Sequence, residues 1–112
     1  MSQNRLNAYH IMWIFVFFDL PTTTKREQKI ANRFRKTLLR DGFTMMQYSI
    51  YIRHCASKEN MAVHIKRIEN AVPERGHVSI LAITDKQFSN IINFRGAKSK
   101  VIEKAPVQLE LF

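Results

Sequence analysis

Ile11–Asp19 reads I-M-W-I-F-V-F-F-D and runs directly into Leu20-Pro21. Eight consecutive apolar residues, rich in β-branched and aromatic side chains, show no helical period and no polar alternation. That pattern predicts a central strand buried on both faces. Pro21 stops it, because proline has no N–H to give to a central ladder. A strand covered on both sides needs layers to cover it, so the residues that follow must supply helices and further strands.

They do so in order. Thr23–Arg40 reads as a helix. Thr24 and Glu27 have capping-box spacing, which satisfies two otherwise unpaired N–H groups. Ile30, Phe34 and Leu38 form its apolar stripe. Asp41-Gly42 ends it, with glycine free to take the left-handed cap. Phe43–His54 is strand-like throughout and long for one strand. It is either one bent strand or a tight hairpin near Gln47–Ser49, and without Gly, Pro or Asn there the pattern leaves both open. Ser57–Val72 reads as a second helix, with Ser57 as N-cap, a stripe of Met61, Ile65, Ile68 and Val72, and Pro73 as its stop. His77–Thr84 is another strand. Thr84 and Gln87 suit the start of a short helical turn through Phe88, and Ile91–Phe94 a short strand. Residues 96–105 read as a polar, basic connector. The tail Pro106–Phe112 alternates Val107, Leu109 and Leu111 with Gln108, Glu110 and Phe112, the period of a strand, which must pair with a sheet edge of this chain or of a partner. The order is an α+β arrangement. If the middle segment is a hairpin, it is the ferredoxin-like βαββαβ sandwich with an additional C-terminal strand.

Composition narrows function. At 112 residues with 46% hydrophobic content, one domain spanning residues 1–112 is expected. The apolar run of eight is too short for a membrane helix, which needs about 20 residues, and its flanks do not suit a signal peptide. Cys55 is the only cysteine, which excludes a disulfide within the chain and fits a reducing, cytoplasmic location. Eighteen Lys and Arg against nine Asp and Glu leave a net charge of +9, which attracts phosphate backbones.

The arrangement of that charge is specific. Arg26, Lys29, Arg33, Lys36 and Arg40 recur at helical spacing and form a positive ridge, read as lying opposite Ile30, Phe34 and Leu38. Only Glu27 is acidic between Thr22 and Arg40. Like charges at these spacings cost stability unless an anion relieves them, and successive phosphates of a duplex are such an anion. The plain alternative is an ordinary solvated helix face. Asp19 is the second candidate: a carboxylate at the end of a buried strand, of the hard-oxygen type that Mg²⁺ prefers, or else a turn residue before Leu-Pro. Asp41 and Asp85 sit at helix ends and read as caps. A single chain therefore offers one such acid, and a two-fold dimer would bring two together. The four histidines show no zinc-site spacing, and His54-Cys55 is no nucleophile–base pair, because adjacent strand residues point to opposite faces.

At F-V-F-F-D-L-P-T-T-T-K (residues 15–25) the chain resembles CRISPR-associated protein two, the small subunit of the spacer-acquisition machinery. Gln47–Ile52 (Q-Y-S-I-Y-I) looks like the family's second signature, and Val78–Thr84 fits its later core strand. The T-T-T-K continuation and R-K-T-L-L-R-D-G-F (35–43) look most like members from type II systems. The resemblance implies a ferredoxin-like fold with a split hairpin at 43–54, and a two-fold homodimer whose C-terminal strands, here residues 106–112, add to the partner's sheet. It implies a metal-dependent endonuclease acting on RNA or double-stranded DNA, with Asp19 as catalytic residue and Mg²⁺ ligand and Mn²⁺ as a substitute cation. Arg26 and Arg33 would assist nucleic-acid binding. It also implies a partnership with the CRISPR integrase (protein one), bridging its dimers and holding the prespacer duplex without need of nuclease activity. The rival to the enzyme is thus a non-catalytic DNA-bridging scaffold. A third reading, an RNA-recognition module, rests on the partial echo of that motif in Gly42-Phe43 and Tyr48, from which Asp41 and Met45 depart.

Overall fold

β1 (Met12–Asp19) is the middle of the molecule. In the computed structural model, which describes residues 11–96 and the short strand at 102–104, it pairs antiparallel with a strand on each side. The other elements are α1 (Lys25–Arg40), β2 (Thr44–Gln47), β3 (Ile50–Cys55), α2 (Lys58–Ala71), β4 (His77–Thr84), α3 (Asp85–Ser89), β5 (Ile92–Phe94) and β6 (Ile102–Lys104). The four-stranded sheet has the order β2-β3-β1-β4, the ferredoxin-like plan.

The long apolar run of β1 is explained by two core layers, one on each face. Met12, Ile14, Val16 and Phe18 point to the helices and pack with Phe34, Leu38, Tyr51, Cys55 and Ile68. Trp13 and Phe15 point to the other face, with Ile52 and Phe88. Phe88 of the short α3 stacks on Trp13 at 3.8 Å between ring centroids. The Trp13 indole N–H is satisfied by the Asp85 carboxylate at 2.7 Å. Each fully buried large apolar side chain stabilises the fold by about 1.5–3 kcal/mol. α3 covers only the Met12 end of this second face. Toward Asp19, Phe17 is half-buried and His77, Ser79 and Leu81 are exposed.

Phe43–His54 is a hairpin. Ser49 supplies the turn at φ +64°, a left-handed conformation that serine does not favour, and the β2–β3 register shifts between Met45 and Gln47. The α1 ends are as expected. The Thr24–Glu27 capping box is complete. Gly42 (φ +89°) donates to the Leu39 carbonyl, while Phe43 donates to that of Leu38, a full Schellman close.

Several expectations need correction. In α1 the buried residues are Ala31, Phe34 and Leu38, and Ile30 is only half-buried. In α2, Met61 and Ile65 are partly buried beside Ile68, but Val72 is 43% exposed, because the helix ends at Ala71 and Val72 has extended backbone. The buried position that the apolar stripe omits is His64. The stretch 96–105 is not all connector: β6 pairs antiparallel with β5, Ile92 opposite Lys104. The terminal strand expected at residues 106–112 lies outside the described residues.

Candidate nucleic-acid interface

Asp19 closes β1 and is exposed. Two devices hold its backbone. Pro21 ends the strand from one side. From the other, Gly76 (φ +93°) lies so close that a Cβ there would stand 2.6 Å from the Asp19 carbonyl oxygen. The β1–β4 register sets Asp19 directly opposite His77, so both side chains leave the sheet on the same face, at the end that α3 leaves open. Cβ atoms of such cross-strand pairs are about 4.5–5.5 Å apart. His77 is the neighbour of Asp19 that sequence reasoning missed. It stands far from Asp19 in the chain, and only the ladder makes them neighbours.

The donor chemistry fits a hard cation in one respect. Mg²⁺ takes one or two protein carboxylates and completes its shell with water and phosphate oxygens, which a single exposed Asp19 per chain allows. Among the described residues no group of three His, Cys, Asp or Glu side chains is assembled that could hold a metal alone.

Arg26, Lys29, Arg33, Lys36 and Arg40 are all exposed along α1. None forms an ion pair among the described residues. Arg40 only folds back onto the Lys36 carbonyl, at 3.4 Å. The ridge is not opposite Ile30, however. Arg26, Ile30 and Arg33 share one side of the helix and line a groove together with Val72, Pro73 and Arg75. Asp19 does not line it, although its neighbours Leu20 and Pro21 do. The catalytic candidate and the ridge thus meet at one end of the sheet without sharing a pocket. Arg35, off the ridge, is tied to Asn32 at 2.9 Å and lies over the exposed Tyr48 ring at 5.5 Å.

A second cluster of charged groups, at the end of α1, is structural. Asp41 accepts from Arg67 at 2.6 Å and meets His64 Nδ1 at 2.7 Å. Burial opposes its ionisation, but hydrogen bonds to His64 and Arg67, reinforced by their charges, hold its carboxyl below the usual carboxylate range. Arg53 donates to the Asp41 carbonyl at 2.7 Å, fastening β3 to the end of α1. Cys55 is buried, and desolvation pushes its thiol up, against the weaker pull of Arg53. His54 is exposed while Cys55 is in the core, so the two are not a reacting pair.

The family model for CRISPR associated protein Cas2 matches residues 12–91, from the first residue of β1 to just past α3. A CRISPR-associated endoribonuclease Cas2 from Flavobacterium psychrophilum is 57% identical over 108 residues, covering 96% of this chain and 94% of that protein. One from Parvibaculum lavamentivorans, of the same name, is 54% identical over 101 residues, covering 90% of this chain and all of that one. A solved structure described as the crystal structure of cas2 superposes with a TM-score of 0.54 at 22% identity, covering 79% of this chain and 92% of that one, a likeness of fold.

Proposed function

The chain belongs to the CRISPR associated protein Cas2 family, and from that membership we propose that it is a nucleic-acid-binding nuclease of spacer acquisition, with Asp19 as its catalytic carboxylate. The observation that carries this reading is the pairing of an exposed acid on a clamped strand end with a helical ridge of five exposed basic residues that no local acid neutralises. The relatives named above are called endoribonucleases. Both RNA and double-stranded DNA present the phosphates that such a ridge takes up.

In this reading the protein is a cytoplasmic homodimer. Asp19 of both protomers would hold Mg²⁺, or Mn²⁺ in its place, and the cation supplies polarisation of a phosphate and activation of water. The chain's own residues do the rest. Gly76 and Pro21 fix where Asp19 sits. His77, opposite Asp19 in the ladder, would orient the Asp19 carboxylate by donating an imidazole N–H. Arg26, Lys29, Arg33, Lys36 and Arg40 bind successive phosphates and counter the charge that develops on the one under attack.

The ridge is complete without Asp19, and that favours a second reading: a scaffold that bridges dimers of the CRISPR integrase and holds a prespacer duplex. Asp19→Asn separates the two. It keeps shape and removes charge, so the variant should melt and bind duplex as the wild type does while cleavage falls to background. Cleavage at the wild-type rate by the variant would reduce Asp19 to a turn residue. A wild type that cleaves neither RNA nor DNA with Mg²⁺ or Mn²⁺ would leave the scaffold.

A further inference from the structure

The groove beside α1 has a volume of about 610 Å³, inside the range of about 300–1,000 Å³ usual for small-molecule sites. Its walls come from three separate parts of the chain: the β1–α1 turn, the first half of α1, and the turn between α2 and β4. Arg26 and Arg33 reach it from the helix and Arg75 from the opposite turn. Two acids also line it. Glu27 is committed elsewhere: its carboxylate accepts from the backbone N–H groups of Thr24 and Thr23, at 2.9 and 3.0 Å. The Thr24 N–H first, then that of Thr23 and, last, the positive charge of Arg75 hold it below the usual carboxylate range. Glu74 is exposed, as are all three arginines. No hydrogen bond or ion pair to another side chain holds Arg26, Arg33 or Arg75 among the described residues.

The floor is of a different kind. Ile30 is half-buried, Val72 is 43% exposed and Pro73 lies beside it. Phosphates of a duplex need only the basic rim, since their bases stay stacked inside the helix. An apolar floor under a ring of guanidinium groups suits a ligand that is anionic at one end and apolar and flat at the other. A nucleotide whose base is not paired has that chemistry.

We propose that this groove binds an unpaired, phosphate-bearing nucleotide, its phosphate held by Arg26, Arg33 and Arg75 and its base or sugar resting on Ile30, Val72 and Pro73. The inference rests on the nucleic-acid-binding reading above and adds to it a single-strand site that shares Arg26 and Arg33 with the duplex ridge and takes Arg75 from outside it. Lys29, Lys36 and Arg40 do not line the groove and serve the duplex alone. The nucleotide comes either from the unpaired part of a strand or as a free nucleotide.

The test uses the full-length protein with two fluorescent probes followed by anisotropy, a short oligothymidylate and a blunt DNA duplex. The variants are Arg75→Ala, Val72→Asp and, as a control on the ridge, Lys36→Ala. Arg75 and Val72 are both solvent-accessible, and melting curves check that each variant folds. Arg75→Ala should weaken the oligothymidylate about fivefold and leave the duplex within about twofold, the size of one charge-assisted contact at an exposed site. Val72→Asp, which sets a carboxylate on the floor, should weaken the single strand at least as much. Lys36→Ala should show the reverse preference. Thymidine 5′-monophosphate, added as competitor, assigns the source: displacement of the oligothymidylate from the wild type means that a free nucleotide suffices, and failure to displace means that the nucleotide must belong to a strand. Folded Arg75→Ala and Val72→Asp proteins that bind oligothymidylate as the wild type does would overturn the site. So would an equal loss on both probes, since Arg75 would then be one more duplex contact. A wild type that binds neither probe would overturn the nucleic-acid reading itself.

Discussion

Gly76→Ala tests whether the clamp on Asp19 is as tight as it looks. Two penalties add at this position. The backbone sits at φ +93°, where an L side chain is strained by about 1–2 kcal/mol. The new Cβ would also stand 2.6 Å from the Asp19 carbonyl oxygen and 2.9 Å from Leu20 Cδ2. Oxygen and backbone cannot rotate aside as a side-chain tip does, so the strand end or the Arg75–Gly76 turn must shift, at about 1–3 kcal/mol more by analogy with overpacked cores. The sum, about 3 kcal/mol, corresponds to a loss of roughly 10–15 °C in Tm for a domain of this size. Gly42→Ala is the internal control. Its φ is similar at +89°, but the nearest atoms belong to the Arg53 guanidinium, at 3.0 and 3.3 Å, which is the far end of a flexible side chain. It should cost about 1–2 kcal/mol, chiefly from the backbone. Calorimetric melting of the three proteins at equal concentration measures the gap. Because the shift falls on Asp19, cleavage by Gly76→Ala should drop further than its stability does at a temperature where it is fully folded. The reasoning fails if Gly76→Ala melts no lower than Gly42→Ala, for then the approach to Asp19 imposes no steric cost.

Replacing Arg26, Arg33 and Arg40 together by alanine should flatten the dependence of duplex affinity on salt, by about one unit of slope for each phosphate no longer neutralised, in titrations at several salt concentrations. An unchanged slope would make the ridge an ordinary solvated face. The Asp41 carboxyl is held below its usual range by His64 and Arg67, so its ionisation stabilises the folded state above the unfolded-state pKa of about 3.9, and that stability is lost as pH falls through the lower folded value. Asp41→Asn should accordingly melt about 5–10 °C below the wild type at pH 7, for a loss of about 1–2 kcal/mol. The gap should narrow below about pH 4, where the unfolded-state carboxyl gains its proton, and go on narrowing as pH falls toward the lower folded value. A gap that is constant down to about pH 3 would show that the charge of Asp41 contributes nothing.

Local rules reach far in this chain because they are written within a few residues of one another. The strand at Ile11–Asp19, its stop at Pro21, the Thr24–Glu27 and Thr84–Gln87 capping boxes and the glycine close of α1 each depend on short-range spacing, and each is present in the structure. The basic ridge and the exposed acid at the end of β1 follow from the same short-range periodicity. What the sequence left open was decided by tertiary contact. The hairpin turns at Ser49, whose left-handed backbone no residue preference announces; Phe18 donates to the Ser49 carbonyl at 3.1 Å, so the neighbouring strand helps to hold the turn. His64 is buried because Asp41, 23 residues away, meets its imidazole. Ile30 and Val72 face a groove instead of the core because α2 stops at Ala71 and the chain turns away. His77 stands beside Asp19, and Arg75 faces Arg26 and Arg33, only because β4 returns antiparallel along β1 and brings the turn before it to the end of that strand. Hydrophobic period and caps are set by neighbours along the chain, whereas the composition of a site is set by which strand ends coincide in space, and that is fixed by sheet order and register.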